Sequence, residues 1–385
     1  MIICSILDTD LYKFTTSYAY MKLFPDAEGI FDFIDRDNTD YSEEFIEELK
    51  LELSSLSMLK MTPEEFGYCK TIRFVPECYW EWLRGFKFDP TKIQITLKNH
   101  KLSVTVLDKL YKATLYEVPI LAIISQLRNK FLGNVANMDT IISKLKEKIK
   151  ISNRNQLPFS EFGTRRRFST SVQNEICNEL AYSSTFCVGT SNVYFAMKYG
   201  MTPIGTHPHE WFMFHGAMYG YRQANYTALE DWVKVYDGDL GIALSDTYTS
   251  DVFLKNFSRK HAKLFDGVRH DSGDPYKFVN KVIKRYKELG IDPTTKTIVF
   301  SNALDFPTYK EIAEYCKGRI RFSAGIGTNL TNDTGFKPSN IVMKLVACRM
   351  NDNQPWYPCI KLSDDEGKHL GSDKEVEICK TQCGI

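Results

Sequence analysis

The chain has 385 residues, 43% of them hydrophobic and 13% aromatic, enough apolar side chain for more than one core and for two domains of ordinary size. Its 49 Lys and Arg balance 48 Asp and Glu to a net charge of +1, so nothing draws it to nucleic acid or an anionic membrane, and any anion has to be held by a local cluster. No stretch reaches the roughly 18 apolar residues of a membrane span, and the opening Met1-Ile2-Ile3-Cys4-Ser5-Ile6-Leu7-Asp8 lacks the basic start and apolar length of a signal peptide, so a soluble, cytoplasmic protein is expected.

The chain begins with Asp8-Thr9-Asp10-Leu11-Tyr12-Lys13 ahead of a helical pattern; the acids suit a capped first helix, and the adjacent Tyr and Lys also suit a site. Gly29 to Arg36 alternates at period two, residues 41–59 are helix-forming, and Ile93 to Leu97 and Leu102 to Leu107 alternate again, which predicts an α+β domain. After Pro119 comes a long helical stretch. Short apolar runs follow, each leading into a helical pattern, and they finish near Glu161-Phe162-Gly163-Thr164, Cys187-Val188-Gly189-Thr190, Ile204-Gly205-Thr206, Ala243-Leu244-Ser245-Asp246, Val268-Arg269-His270-Asp271, Val299-Phe300-Ser301-Asn302 and Phe322-Ser323-Ala324-Gly325. Repeated strand-then-helix units predict a parallel α/β barrel or wound sheet with its active site at the carboxyl ends of the strands, where these polar residues fall. Ile341 to Leu362 returns to strand-like alternation. The expected organisation is an α+β domain over 1–117 with 341–385 and an α/β barrel domain over 118–340 that carries the site. Ten scattered cysteines without a Cys-x-x-Cys pair suit reduced thiols rather than zinc or disulfides.

Several strand-end motifs offer chemistry. Glu161-Phe162-Gly163-Thr164-Arg165-Arg166-Arg167 sets guanidiniums beside an aromatic ring, fit for an anionic aromatic ligand or merely a solvated basic turn. Ala324-Gly325-Ile326-Gly327-Thr328 lets backbone amides approach a phosphate, or is a turn with no ligand. Arg269 and Asp271, two residues apart on an extended run, face one side; Arg269 suits phosphate and Asp271 sugar hydroxyls or Mg2+, while Asp271 and Ser272 also suit the cap of the next helix. Asp246, in Ser245-Asp246-Thr247, suits either a cap or the support of an imidazole. In Gly205-Thr206-His207-Pro208-His209-Glu210-Trp211, His209 is open to three readings: a satisfied core histidine, a metal ligand with His207, or a phosphoryl acceptor.

These motifs, taken in order, resemble the nicotinate phosphoribosyltransferase family over most of the chain. The matching segments are Thr9 to Lys13, Phe162 to Arg167, Gly189-Thr190-Ser191-Asn192, Gly205-Thr206 with His209-Glu210-Trp211, Ser245-Asp246-Thr247, Arg269 to Pro275, Gly325 to Asn329 and Lys361-Leu362-Ser363. The resemblance implies the type II phosphoribosyltransferase fold, an α+β domain beside an irregular α/β barrel, in a homodimer with shared active sites. It also implies the first step of NAD salvage from nicotinate: transfer of the phosphoribosyl group of phosphoribosyl pyrophosphate (PRPP) to nicotinate, with Mg2+, and with ATP as co-substrate coupled through a phosphohistidine. By it His209 is the phosphorylated residue and Asp246 its support. Phe162 stacks on the pyridine, Tyr12 closes the sandwich from the neighbouring subunit with Asp10 beside it, and Arg165 meets carboxylate or pyrophosphate. Arg269 and Asp271 hold PRPP, Gly325, Gly327 and Thr328 cradle the 5-phosphate, and Thr190 and Ser191 belong to the substrate site. Ser191 stands where the related nicotinamide enzyme has an Asp, and a hydroxyl donor there favours the acid over the amide. The alternatives weighed are a nicotinamide-preferring enzyme and a metal-dependent barrel hydrolase using His207 and His209 with Asp271 as ligands, besides a phosphosugar-binding or regulatory protein without catalysis.

Overall fold

A computed structural model describes residues 1–365 and 367–385. The strands among them are β1 (Glu28–Asp35), β2 (Ile93–Lys98), β3 (Lys101–Lys109), β4 (Phe159–Glu161), β5 (Cys187–Thr190), β6 (Ile242–Leu244), β7 (Gly267–His270), β8 (Thr297–Phe300), β9 (Arg321–Ile326), β10 (Ile341–Arg349) and β11 (Tyr357–Pro358). The chain divides into two compact units, one of Met1–Tyr18, Ile30–Ile204 and Ile326–Lys344, the other of Ala19–Gly29, Gly205–Gly325 and Leu345–Ile385.

In the first unit β2 and β3 form an antiparallel hairpin in register from Ile93↔Val106 to Lys98↔Lys101. Its turn residues Asn99 and His100 both have positive φ, 50° and 61°, the backbone that matches the twist of a two-residue hairpin loop. Alternation along β3 turns Leu102, Val104 and Val106 inward, as period two requires. The helix Glu43–Ser55 starts at Ser42, whose hydroxyl accepts from the Phe45 amide, and buries Phe45, Ile46, Leu49 and Leu53, one helical face. The helix Glu117–Phe131 carries Pro119 in its first turn, where a missing N–H costs little. β4 and β5 pair in parallel, and the helix Thr170–Ser183 between them is capped by Ser169.

In the second unit β6, β7, β8 and β9 lie side by side in parallel, with Leu244 opposite Arg269 and His270 opposite Phe300. Ala243, Leu244, Val268, Ile298, Phe300 and Ala324 are buried, the apolar filling of strands covered by helices. The crossovers are the helices Ser250–Asn256 and Arg259–Leu264, then Pro275–Glu288, then Phe306–Cys316. Gly267 starts β7 because a Cβ there would stand 1.9 Å from the Thr297 carbonyl oxygen. The helix His209–Tyr219 buries Trp211, Phe212, Met213 and Phe214. It seats against Tyr248 at Gly216, where a Cβ would lie 1.9 Å from the phenolic oxygen.

One anticipated strand is missing. The run ending at Ile204-Gly205-Thr206 has a single bridge, Thr190↔Pro203, and is otherwise irregular. Pro203 has no amide proton to give a ladder. The other six apolar runs end as β4 to β9, and no helix among the described residues is long and apolar enough to cross a membrane.

Candidate active site

The second unit gathers four of the anticipated residues, His209, Asp246, Arg269 and Asp271, after the strand ends and at a helix start. Pro208 is extended and His209 is the first residue of its helix, with no side-chain cap, so the imidazole stands at the positive end of the helix dipole. Nε2 lies 3.0 Å from Asp271 Oδ2 and 3.6 Å from Asp246 Oδ1, and Nδ1 lies 3.1 Å from Thr247 Oγ1. With carboxylates on the Nε2 side, that nitrogen carries the proton and donates it to Asp271, while Nδ1 keeps its lone pair and accepts from the Thr247 hydroxyl. Burial, and after it the Lys361 ammonium, push the imidazole down to about 4, against the pull of Asp246 and Asp271. The ring is therefore neutral and nucleophilic near pH 7.

The carboxylates are fixed from behind. Asp246 Oδ2 accepts from Ser272 Oγ at 2.7 Å and from Lys361 Nζ at 3.4 Å. Asp271 Oδ1 accepts from Arg269 Nη2 at 2.7 Å and from Ser301 Oγ at 2.5 Å. Arg269 also donates through Nε to Ser301 Oγ and through Nη1 to Thr206 Oγ1. Burial opposes the charge on both acids; it is outweighed at Asp246 by His209 and Lys361, and at Asp271 by Arg269 and His209, so both ionise more readily than usual. Asp246 Oδ1, wholly buried, accepts no hydrogen bond. Asp271 and Ser272 are not the cap of the next helix: that is Asp274, which accepts from the amides of Tyr276 and Lys277. From the sequence Ser272 is expected only as a helix cap, and Ser301 and Lys361 have no expected role; the available signals are the place of Ser301 one step past β8 and of Lys361 in a matching segment.

His207 and His209 part company. His207 is fully buried, 4.4 Å from the Trp232 ring and near Phe212 and Phe265. Neither ring nitrogen makes a hydrogen bond of good geometry, and although the Leu240 backbone is near enough to hold it up slightly, burial lowers it to about 3. It is a neutral core side chain, and the paired-imidazole metal reading loses one ligand.

The first unit gathers Asp10, Tyr12, Phe162, Arg165, Thr190 and Ser191. Asp10 precedes the helix Leu11–Leu23, and its Oδ1 accepts from Ser191 Oγ at 2.7 Å. Arg165 reaches Asp10 Oδ2 at 3.8 Å and Glu117 Oε1 at 3.4 Å, and Glu117 is also held by Lys13 at 2.5 Å. Burial disfavours charge on Glu117 but Lys13 and then Arg165 hold it below the usual range, whereas burial leaves Asp10 raised despite Arg165. Tyr12 and Phe162 are half-buried, and burial raises the Tyr12 phenol.

Two buried acids brace these residues. Asp8 takes a two-pronged bond from Arg167 at 2.7 and 2.8 Å, both side chains having zero exposure, so one of the three adjacent arginines is a structural ion pair rather than part of a basic turn. Glu161 accepts from Thr190 Oγ1 at 2.6 Å, from Gln173 Nε2 at 3.1 Å and from the Gly163 amide. Thr190 is thus buried scaffolding behind Ser191. Gly327 precedes a single helical turn, Thr328–Thr331, and a Cβ on it would come 3.2 Å from the Phe162 carbonyl. Gly325 lies in β9 and belongs to the other unit.

The profile of the Nicotinate phosphoribosyltransferase (NAPRTase) family matches residues 157–383, and that of the NAPRTase N-terminal domain matches residues 7–125. The chain belongs to the nicotinate phosphoribosyltransferase family. Among members of this family, the nicotinate phosphoribosyltransferase of Desulforapulum autotrophicum is 45% identical and that of Chromohalobacter salexigens 43%, each over 97% or more of this chain and 97% of its own length. The crystal structure of the Porphyromonas gingivalis nicotinate phosphoribosyltransferase superposes with a TM-score of 0.98 at 47% identity, covering all of both chains. The family's fold is therefore the α/β, type II phosphoribosyltransferase fold anticipated from the motifs.

Proposed function

We propose that this chain transfers the phosphoribosyl group of PRPP to nicotinate, releasing pyrophosphate, and that His209 couples the step to ATP by accepting its γ-phosphoryl group at Nδ1. The observation that carries the reading is the imidazole itself: neutral, anchored at Nε2 by Asp271, and placed at a helix start that favours the charge of a phosphoryl group. Once Nδ1 is phosphorylated, the ring becomes a cation, and Asp246 and Asp271 stabilise it. Transfer of the phosphoryl group leaves ADP, and hydrolysis of the phosphohistidine by water returns phosphate and the free imidazole.

Arg269 and Asp271 are assigned to PRPP, and the Gly325-to-Thr328 turn to its 5-phosphate. As pyrophosphate leaves C1 the ribose develops oxocarbenium character, and the pyridine nitrogen attacks from the opposite face, so positioning and charge neutralisation do most of the work. Asp246 Oδ1, without a hydrogen bond, and the Asp271 carboxylate fit the oxygen donors that Mg2+ prefers. Mg2+ bound with PRPP would neutralise charge on the departing pyrophosphate.

Nicotinate is assigned to Phe162, Arg165, Asp10 and Ser191, with Tyr12 contributed by a second copy in a homodimer. Ser191 donates its proton to Asp10, so the choice between acid and amide falls to that pair together with Arg165. The Asp10 carboxyl favours a second reading, an amide-preferring enzyme; Arg165 on the same carboxyl, and burial that raises it toward its neutral form, favour the acid. A cytoplasmic location is part of the proposal.

The deciding experiment supplies nicotinate or nicotinamide with PRPP and Mg2+, with and without ATP labelled at its γ-phosphoryl group. Nicotinate mononucleotide is expected, with ATP-stimulated turnover and an acid-labile label that persists in His207→Ala and is lost in His209→Ala. Label retained by His209→Ala would move the acceptor, and nicotinamide mononucleotide as the main product would overturn the substrate.

A further inference from the structure

His209 Nε2, Asp246 Oδ1 and Asp271 Oδ2 all lie within 4.8 Å of one another. For an ion bound about 2.1 Å from each ligand, neighbouring ligand atoms stand roughly 3.0 Å apart in octahedral geometry and roughly 3.4 Å in tetrahedral. The two separations at the imidazole, 3.0 Å to Asp271 and 3.6 Å to Asp246, bracket those values. The oxygens that face Nε2 are the ones left open: Arg269 and Ser301 engage the opposite oxygen of Asp271, and Ser272 and Lys361 the opposite oxygen of Asp246. Thr247 on Nδ1 completes an outer ring of hydrogen bonds of the kind that orients metal ligands. The independent sign of a missing ligand is Asp246 Oδ1, on a side chain only 1% exposed, which accepts no hydrogen bond and points at the imidazole.

We propose that these three residues form a site for a divalent transition ion of the zinc, cobalt or manganese type, occupied in competition with the proton on His209 Nε2. An imidazole nitrogen with two carboxylates is a donor set for such ions, whereas Mg2+ takes oxygen alone. Binding breaks the Nε2–H bond, releases that proton to solvent and forms a metal–nitrogen bond, with no change of oxidation state. The ion draws electron density from the ring, and Nδ1 becomes the poorer nucleophile. Arg269 and Lys361 beside the carboxylates balance their two negative charges, which sets an affinity suited to inhibition rather than to a permanent structural ion.

The inference concerns the same residues as the proposed phosphoryl acceptor but is tested without substrates. Co2+ titration of the full chain, read by visible absorption, is expected to give a strong band from a four- or five-coordinate ion at one per chain, displaced by Zn2+. His209→Gln and Asp246→Asn are each expected to weaken binding about tenfold or more, and Ser301→Ala, outside the ligand set, about tenfold, with far-ultraviolet circular dichroism showing that each variant is folded. A Co2+ spectrum unchanged in folded His209→Gln, one dominated by thiolate charge transfer, or no binding to the wild type would overturn the site. Failure of the phosphoryl-acceptor reading shows separately, as missing label from ATP in metal-free protein supplied with Mg2+.

Discussion

The two clusters are braced differently. In the second unit the functional groups hold one another: His209 is fixed by Asp271, Asp271 by Arg269 and Ser301, and Asp246 by Ser272 and Lys361. In the first unit Asp10, Ser191 and Arg165 also meet one another, but the layer behind them is closed by buried acids outside the assigned site, Asp8 with Arg167 and Glu161 with Thr190. The difference teaches that a substitution in the histidine cluster damages chemistry before stability, whereas one behind the aromatic cluster damages stability first.

The sharpest break of that contrast is at Asp8. Asp8→Ala leaves the Arg167 charge buried without its partner, and is expected to cost about 3–5 kcal/mol in urea unfolding; a loss under about 1 kcal/mol would mean that Gln173 alone holds the guanidinium. Asp271→Ala reverses the pattern. ATP-coupled turnover is expected to fall by a factor of about 10² to 10⁴ while the unfolding midpoint moves little, and a large drop in that midpoint would show the two clusters to be braced alike. Glu161→Gln keeps the shape of the brace but exchanges acceptors for a donor. It is expected to raise the nicotinate KM by about tenfold, equivalent to ~1.4 kcal/mol, with kcat nearly unchanged, and a fall in kcat alone would place Glu161 in the chemistry.

A gentler test uses pH. His207 is lowered from 6.5 to about 3 and His209 from 6.5 to about 4, so between these values the unfolded chain binds the protons that the folded one refuses. Their contribution to stability is full above pH 6.5, declines as pH falls through that window and is gone below the folded values. His207→Phe is expected to remain within about 1.5 kcal/mol of the parent at neutral pH and to unfold less steeply on acidification. An unchanged acid slope would show that His207 is accessible to protons after all.

Much of this was legible in the sequence. Apolar runs leading into helical patterns located β4 to β9, and the residue types at or just past those ends marked Asp246, Arg269 and Asp271 as candidates, whereas His209 was marked after the Ile204-to-Thr206 run, which is not a strand. The irregular Ile204-to-Thr206 run was misread because apolar content does not show that, between Pro203 and Pro208, pairing stops at a single bridge. The split fate of Arg165 and Arg167 was also hidden: in an identical local string, only the distant Asp8 decides which guanidinium is internal. Ser191 read as a free donor, because its partner Asp10 is 181 positions away in the chain.

The seat of the His209 helix has an evolutionary consequence. At Gly216 no side chain fits beneath the Tyr248 hydroxyl, which itself donates to the Phe212 carbonyl at 3.2 Å. Alanine at 216 would lever up the helix that begins with His209, so a lineage is barred from that change while the tyrosine stands. If Tyr248 first drifts to phenylalanine, the contact at 1.9 Å is gone and the nearest one left is the ring carbon Cζ at 2.8 Å, which a smaller shift relieves. The order of two mutations, rather than either alone, then decides whether the imidazole keeps its place.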